Sequence, residues 1–149
     1  MGIVFQDPDS QIFAGRVYQD VAFGPLNLGL EEEEIDKRVK EALELLGIWD
    51  LAQRPCHFLS YGQKKRVSIA GVLAMHPEIV IFDEPLSYLD PLHKKELLYI
   101  LEELSFRGVT VIVSTHDVDF AYSFAQHIIV LKDGTILGEG PPRTIFFDD

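Results

Sequence analysis

Asp83 and Glu84 close an uninterrupted apolar run, Ile79-Val80-Ile81-Phe82, and Pro85 follows them at once. If that run is a buried strand of a parallel sheet, its carboxyl end delivers both acids to the edge where α/β proteins bind ligands. An acid there can hold Mg2+, usually through water, and its neighbour can position or deprotonate an attacking water. A strand that merely ends in a polar Asp-Glu-Pro turn explains the same residues. Two features weigh against that plainer reading. Ser87-Tyr88-Leu89-Asp90-Pro91 follows at close range, and a second apolar run, Val109 to Val113, ends in Ser114-Thr115-His116. If the two strands are parallel, His116 reaches the same sheet edge as Glu84, where an imidazole can contact a γ-phosphate and the attacking water. By itself a histidine after a strand is more often a structural hydrogen-bonding group.

Ser60-Tyr61-Gly62-Gln63 stands at the expected start of a helix, where free backbone N–H groups and the helix dipole favour an anion. An ordinary serine N-cap accounts for Ser60 and leaves Gly62 and Gln63 poorly explained. Lys64, Lys65 and Arg66 add positive charge beside that terminus and serve equally well as a solvated helix face. Gln6 ends a short apolar run and offers an amide to a metal ion or its water. Phe13, Tyr18 and Phe23, spaced among polar residues, fit a docking surface or local packing. His57, His76, His93 and His127 have no metal-ligand spacing.

The elements that must position these residues are legible from periodicity. Gly2 to Phe5 is a short strand that stops at Gln6 and the Asp7-Pro8-Asp9-Ser10 loop. From Glu31, Ile35, Val39, Leu43 and Leu46 recur at helical spacing, with acids in the first turn and Gly47 as the stop. A mostly apolar, deeply buried helix is expected from about Gly62 to Met75, closed by Pro77. Beyond Pro77, Ile79 to Phe82, Val109 to Val113 and Ile128 to Leu131 read as strands covered on both faces. Between them lie a helix with Leu97, Ile100, Leu101 and Leu104, ended by Gly108, and a shorter one with Val118, Ala121, Tyr122 and Ala125. Strand-helix-strand order implies a parallel α/β sheet, and Asp133-Gly134 turns into a last antiparallel strand around Thr135 to Leu137.

Composition bounds the alternatives. A chain of 149 residues that is 47% hydrophobic has the size and apolar fraction of one globular domain. Thirteen basic against 24 acidic residues give a formal charge of -11, which disfavours general binding to nucleic acid. The one cysteine, Cys56, can form no internal disulfide and reads as a buried, inert thiol suited to a reducing compartment. The longest apolar runs fall far short of the ~20 residues of a membrane-spanning helix, and the start has neither the basic nor the apolar region of a signal peptide. The chain is therefore expected in the cytoplasm, with membrane contact only through a partner.

Taken together, these residues resemble the ATP-binding cassette (ABC) ATPases from Gln6 to about Phe147. Gln6 corresponds to the Q-loop, Leu59 to Gln63 to the signature, Ile79 to Glu84 to the Walker B strand and catalytic acid, Ser87 to Asp90 to the D-loop, and His116 to the switch histidine. The wording from Val4 to Phe13 and from Val21 to Pro25 is similar to cobalt/nickel importers and energy-coupling-factor vitamin importers. The resemblance implies an incomplete P-loop NTPase fold in one partial domain. About 12–77 would form the helical subdomain, and about 1–6 and 78–149 part of the catalytic α/β subdomain. It also implies that Asp83 and Gln6 serve Mg2+, Glu84 acts as general base, and His116 and Gln6 address the γ-phosphate. Ser60, Gly62 and Gln63 would meet nucleotide across a dimer of cassettes, and Asp90 would also bind nucleotide.

Two departures qualify the match. Tyr61 replaces the first glycine of the commonest Leu-Ser-Gly-Gly-Gln signature, a change expected to be tolerated. No G-x-x-x-x-G-K-[ST] run occurs in these residues, and that loop would supply the backbone cradle and lysine for the phosphates of ATP. In the family its strand lies between the run before His116 and Ile128 to Leu131, so two apolar edges are expected to pair directly, self-associate or accept a strand from another polypeptide. The expectation is the C-terminal portion of an importer ATPase, docked on a transmembrane subunit at the inner face of the cell membrane and paired with a second cassette. ATP and Mg2+ would bind only with a partner or segment that bears the phosphate loop. A noncatalytic truncated or split-gene fragment that docks on a transporter subunit is the alternative, and a cytosolic ABC protein of DNA repair or translation a third.

Overall fold

The structure is a computed structural model that describes residues 1–147. It divides into two compact units, Met1–Ser114 and the part from Thr115 onward. The first holds three parallel strands, β1 (Gly2–Val4), β2 (Ile79–Asp83) and β3 (Thr110–Ser114), in the order β1-β2-β3. Its helices are α1 (Val17–Asn27), α2 (Glu32–Leu45), α3 (Tyr61–Leu73) and α4 (Pro91–Phe106). The second holds α5 (Val118–Phe124), the antiparallel hairpin β4 (Ile128–Lys132) and β5 (Thr135–Gly140), and α6 (Pro142–Phe147). No helix among the described residues is long and apolar enough to cross a membrane.

Local chemistry explains where the helices start and stop. The acids Glu32, Glu33 and Glu34 occupy the first turn of α2, the positive end of the helix dipole. At its other end Gly47 takes φ +65°. The Gly47 amide bonds the Glu44 carbonyl at 3.0 Å and the Ile48 amide bonds that of Leu43 at 2.9 Å, the paired bonds of a Schellman stop. Gly108 repeats the device after α4, with φ +84°. Asp133 and Gly134, at φ +50° and +76°, supply the two left-handed residues that a tight hairpin turn requires. Helix α1 was not legible as a helix, because Gly24-Pro25 interrupts its pattern. Val17, Val21 and Pro25 are nevertheless buried, and α1, α2 and α3 pack on one another.

Sheet register decides what is covered. Gly2, Val80 and Val111 stand level, as do Val4, Phe82 and Val113, and Val4, Val80 and Phe82 are fully buried. Side chains alternate across a strand, so Ile3, Ile81 and Ile112 share the opposite face, where Ile3 is 43% and Ile112 48% exposed. The expectation of strands covered on both faces therefore fails for β3, which alternates between exposed and half-buried residues. The expected membership of the sheet is also corrected. Among the described residues the parallel sheet holds β1, β2 and β3, and Ile128 to Leu131 pairs instead with β5, the strand that the Asp133-Gly134 turn brings alongside it. On the other side of the sheet, Gln11 blunts the outer edge of β1. Its Oε1 accepts from the Phe5 amide at 3.1 Å and its Nε2 donates to the Ile3 carbonyl at 3.2 Å, in the place a neighbouring strand would take.

Candidate nucleotide site

The carboxyl end of β2 carries the acids, as its apolar run implied. Asp83 stands level with Ser114 of β3, and the Ser114 hydroxyl donates to Asp83 Oδ1 at 2.6 Å. The same hydroxyl oxygen accepts from the Glu84 amide at 3.3 Å, and that amide also donates to the Ser114 carbonyl at 3.0 Å. Glu84 takes φ +44°, a left-handed conformation that costs a residue with a side chain about 1–3 kcal/mol and concentrates at functional sites. The shared bonds to Ser114 hold it there. Ser87 Oγ donates to Glu84 Oε2 at 3.4 Å, and Tyr88 has φ +63°, so the whole turn after β2 is wound left-handed at two places. Ser114 was missed as a site residue, although its position level with Asp83 follows once the strands are taken as parallel.

Asp90 begins α4. Its Oδ1 accepts from the amides of Leu92 at 2.9 Å and His93 at 3.1 Å, and its Oδ2 meets His93 Nδ1. These bonds from His93, backbone and side chain, hold the carboxyl below the usual range.

At the start of α3, Ser60 and Gln63 form a capping box. Ser60 Oγ accepts from the Gln63 amide at 3.3 Å and Gln63 Oε1 accepts from the Ser60 amide at 3.0 Å. The amides of Tyr61 and Gly62, at the first two helical positions, have no helical carbonyl to donate to. A Cβ at Gly62 would only touch the His93 ring, at 3.6 Å, so packing within the chain does not require glycine there. A glycine there leaves the backbone open to close approach from outside.

Gln6 follows β1, two residues beyond the last paired position, Val4 with Phe82. Its carbonyl accepts from Lys65 Nζ at 2.6 Å and Tyr61 Oη at 3.2 Å. Lys64 to Arg66 are not the solvated face that served as one reading. Lys65 is 2% exposed, Lys64 Nζ bonds Asp9 Oδ1 at 2.6 Å, and Arg66 bonds the Leu46 carbonyl at 3.0 Å and the Glu96 carboxylate. The reason is reach, since Lys64 and Lys65 extend to the loop that leaves β1 and Arg66 to the end of α2 and to α4.

His116 lies in the second unit and is exposed there. Thr115 Oγ1 accepts from the Asp117 amide at 3.0 Å, and Asp117 Oδ1 caps α5 through the Phe120 amide at 3.0 Å. The first unit thus brings together Asp83, Glu84, Ser87 and Ser114 in one bonded group, with Gln6 tied to α3 beside it.

These residues suit Mg-ATP chemically. Oxygen ligands from a carboxylate and an amide match the preference of Mg2+, which takes few protein ligands and leaves positions for phosphate and water. Unspent amides at a helix N-terminus, with a glycine that admits close approach, match phosphate.

Comparison with known proteins shows the family. The ABC transporter family model matches residues 1–87. The energy-coupling factor transporter ATP-binding protein EcfA of Methanocaldococcus jannaschii is 53% identical over 148 residues, 99% of this chain and 53% of that protein. EcfA of Carboxydothermus hydrogenoformans is 55% identical over 140 residues, 94% of this chain and 52% of its own. Among solved structures, cbiO1 from Clostridium perfringens, part of the ABC transporter complex cbiONQ, superposes with a TM-score of 0.89 at 48% identity, over 97% of this chain and 58% of its own. A dimeric bacterial ABC transporter cassette gives 0.81 at 34% identity, over 96% of this chain and 63% of its own. The chain spans about half the length of the curated relatives it matches. A family model that matches most of the chain, and the same cassette fold in both solved structures, place this protein in the ABC transporter family, as ATP-binding cassette sequence.

Proposed function

We propose that the chain is the C-terminal portion of the ATP-binding subunit of an ABC importer, in which ATP hydrolysis drives import of a metal ion or vitamin. The support that carries most weight is the bonded group at the end of β2, where Asp83 and Glu84 share Ser114 and Glu84 is held left-handed. In this reading Asp83 and Gln6 hold Mg2+, which neutralises phosphate charge when bound. Glu84 is the general base and His116 addresses the γ-phosphate. Ser60, Gly62 and Gln63 face nucleotide held by a second cassette, and Asp90 also binds nucleotide. The helical subdomain of about 12–77 meets a transmembrane subunit, so the protein works peripherally on the inner face of the cell membrane. The strand edges are a route to self-association.

The missing G-x-x-x-x-G-K-[ST] run sets the test. The purified chain alone should bind Mg-ATP weakly and release phosphate at a negligible rate. Robust turnover that Glu84→Gln abolishes would overturn the proposal that this chain needs a phosphate loop from elsewhere. The open face and edge of β3 favour a second reading, a noncatalytic truncated or split-gene fragment that docks on a transporter subunit. Capture of a transmembrane subunit by a chain that stays inactive in every assembly would select it.

A further inference from the structure

The Gln6 carbonyl is the meeting point of two donors one helical turn apart on α3, Tyr61 Oη and Lys65 Nζ. Positions four apart lie on one face of a helix, and the Lys65 ammonium also reaches the Phe5 carbonyl at 3.4 Å. Helix formation requires neither side chain, because the Ser60 and Gln63 capping box already starts α3. A lysine buried to 2% exposure is costly unless its charge is answered. Burial lowers its pKa, while the carboxylates of Asp83 and then Asp7 oppose that shift. Burial foremost, then Asp7, Tyr88 and Asp9, raises the pKa of Tyr61, so its hydroxyl keeps the proton it donates. The Tyr61 ring also meets Tyr88 edge to face, with centroids 6.3 Å apart, next to the Ser87 that bonds Glu84.

We propose that Tyr61 and Lys65 are positioning residues for Gln6, a two-donor clamp through which the N-terminus of α3 sets where the Gln6 amide stands. The clamp gives a purpose to the tyrosine that departs from the commoner glycine, since no glycine could supply the second donor. It rests on the reading that Gln6 serves Mg2+ and α3 serves a phosphate, and it links them. A displacement of the α3 N-terminus by a bound anion moves the Gln6 backbone with it.

The test is nuclear magnetic resonance of the isotope-labelled full chain, with Mg-ATP as the probe. Tyr61→Phe keeps the ring and removes one donor, and Lys65→Met removes the other. Each should shift the Gln6 carbonyl carbon resonance and speed amide exchange at Asp9 and Ser10 about three- to tenfold. Exchange in the Val67 to Leu73 stretch should stay unchanged, and the response of the Gln6 side-chain amide to Mg-ATP should weaken by a similar factor. An unmoved Gln6 carbonyl in Tyr61→Phe, with α3 intact, overturns the clamp, and this variant decides alone if Lys65→Met does not fold. If the Gln6 carbonyl and the turn respond, and Mg-ATP at a concentration that shifts the resonances of Asp83 and Glu84 leaves the unmodified Gln6 amide untouched, the clamp stands and the assignment of Gln6 to Mg2+ falls.

Discussion

Asp20 illustrates how one carboxylate organises the loop that leads from the site to the helical part. It is 8% exposed, and its Oδ1 accepts from the amides of Phe13 and Ala14, each at 3.0 Å. Asp20→Ala removes the shared acceptor of two part-buried amides and should lower stability by about 1–3 kcal/mol, read as a lower denaturation midpoint. Asp20→Asn keeps an acceptor oxygen and should cost less. Asp90 gives a prediction of pH dependence. Its folded pKa is depressed by bonds from His93, so its contribution is present above the unfolded carboxylate pKa of about 3.9 and fades as the pH falls through the lower folded value. The gap in melting temperature between the unmodified chain and Asp90→Asn should therefore be constant near neutrality and narrow below about pH 4. A gap that widens in acid would contradict this assignment.

Among the elements, β1 is short and depends on what packs against it. A Cβ at Gly2 would stand 2.3 Å from Val72 Cγ1 on α3, and Val72, β-branched and 4% exposed, has little freedom to turn away. Gly2→Ala should destabilise by about 1–3 kcal/mol, and adding Val72→Ala should recover part of the loss in a double-mutant cycle. Strand β1 also carries Gln6 to the site, so this contact fixes the distance between sheet and α3 over which Tyr61 and Lys65 reach. At its outer edge Gln11 supplies the bonds of an absent strand. Among the described residues strand β3 has only β2 as a strand partner, at the end of the β1-β2-β3 order.

At the scale of the molecule, the β3 edge adjoins a sheet face on which Ile3 and Ile112 are exposed. Apolar strands with free edges associate, and sedimentation at rising concentration should show assembly that Ile112→Lys suppresses while secondary structure is kept. A chain that stays monomeric throughout would remove self-association from its properties. What the sequence determined by itself is local. Periodic apolar positions set α2, α3 and α4, Gly47 and Gly108 their stops, and the run before Asp83 the strand that carries the acids, because hydrophobic spacing and backbone freedom act over a few residues. Tertiary structure alone decided that Ser114 bonds Asp83 and that Lys65 turns inward to Gln6. Those outcomes depend on which surfaces meet across many residues of chain, and no short window of sequence holds both partners.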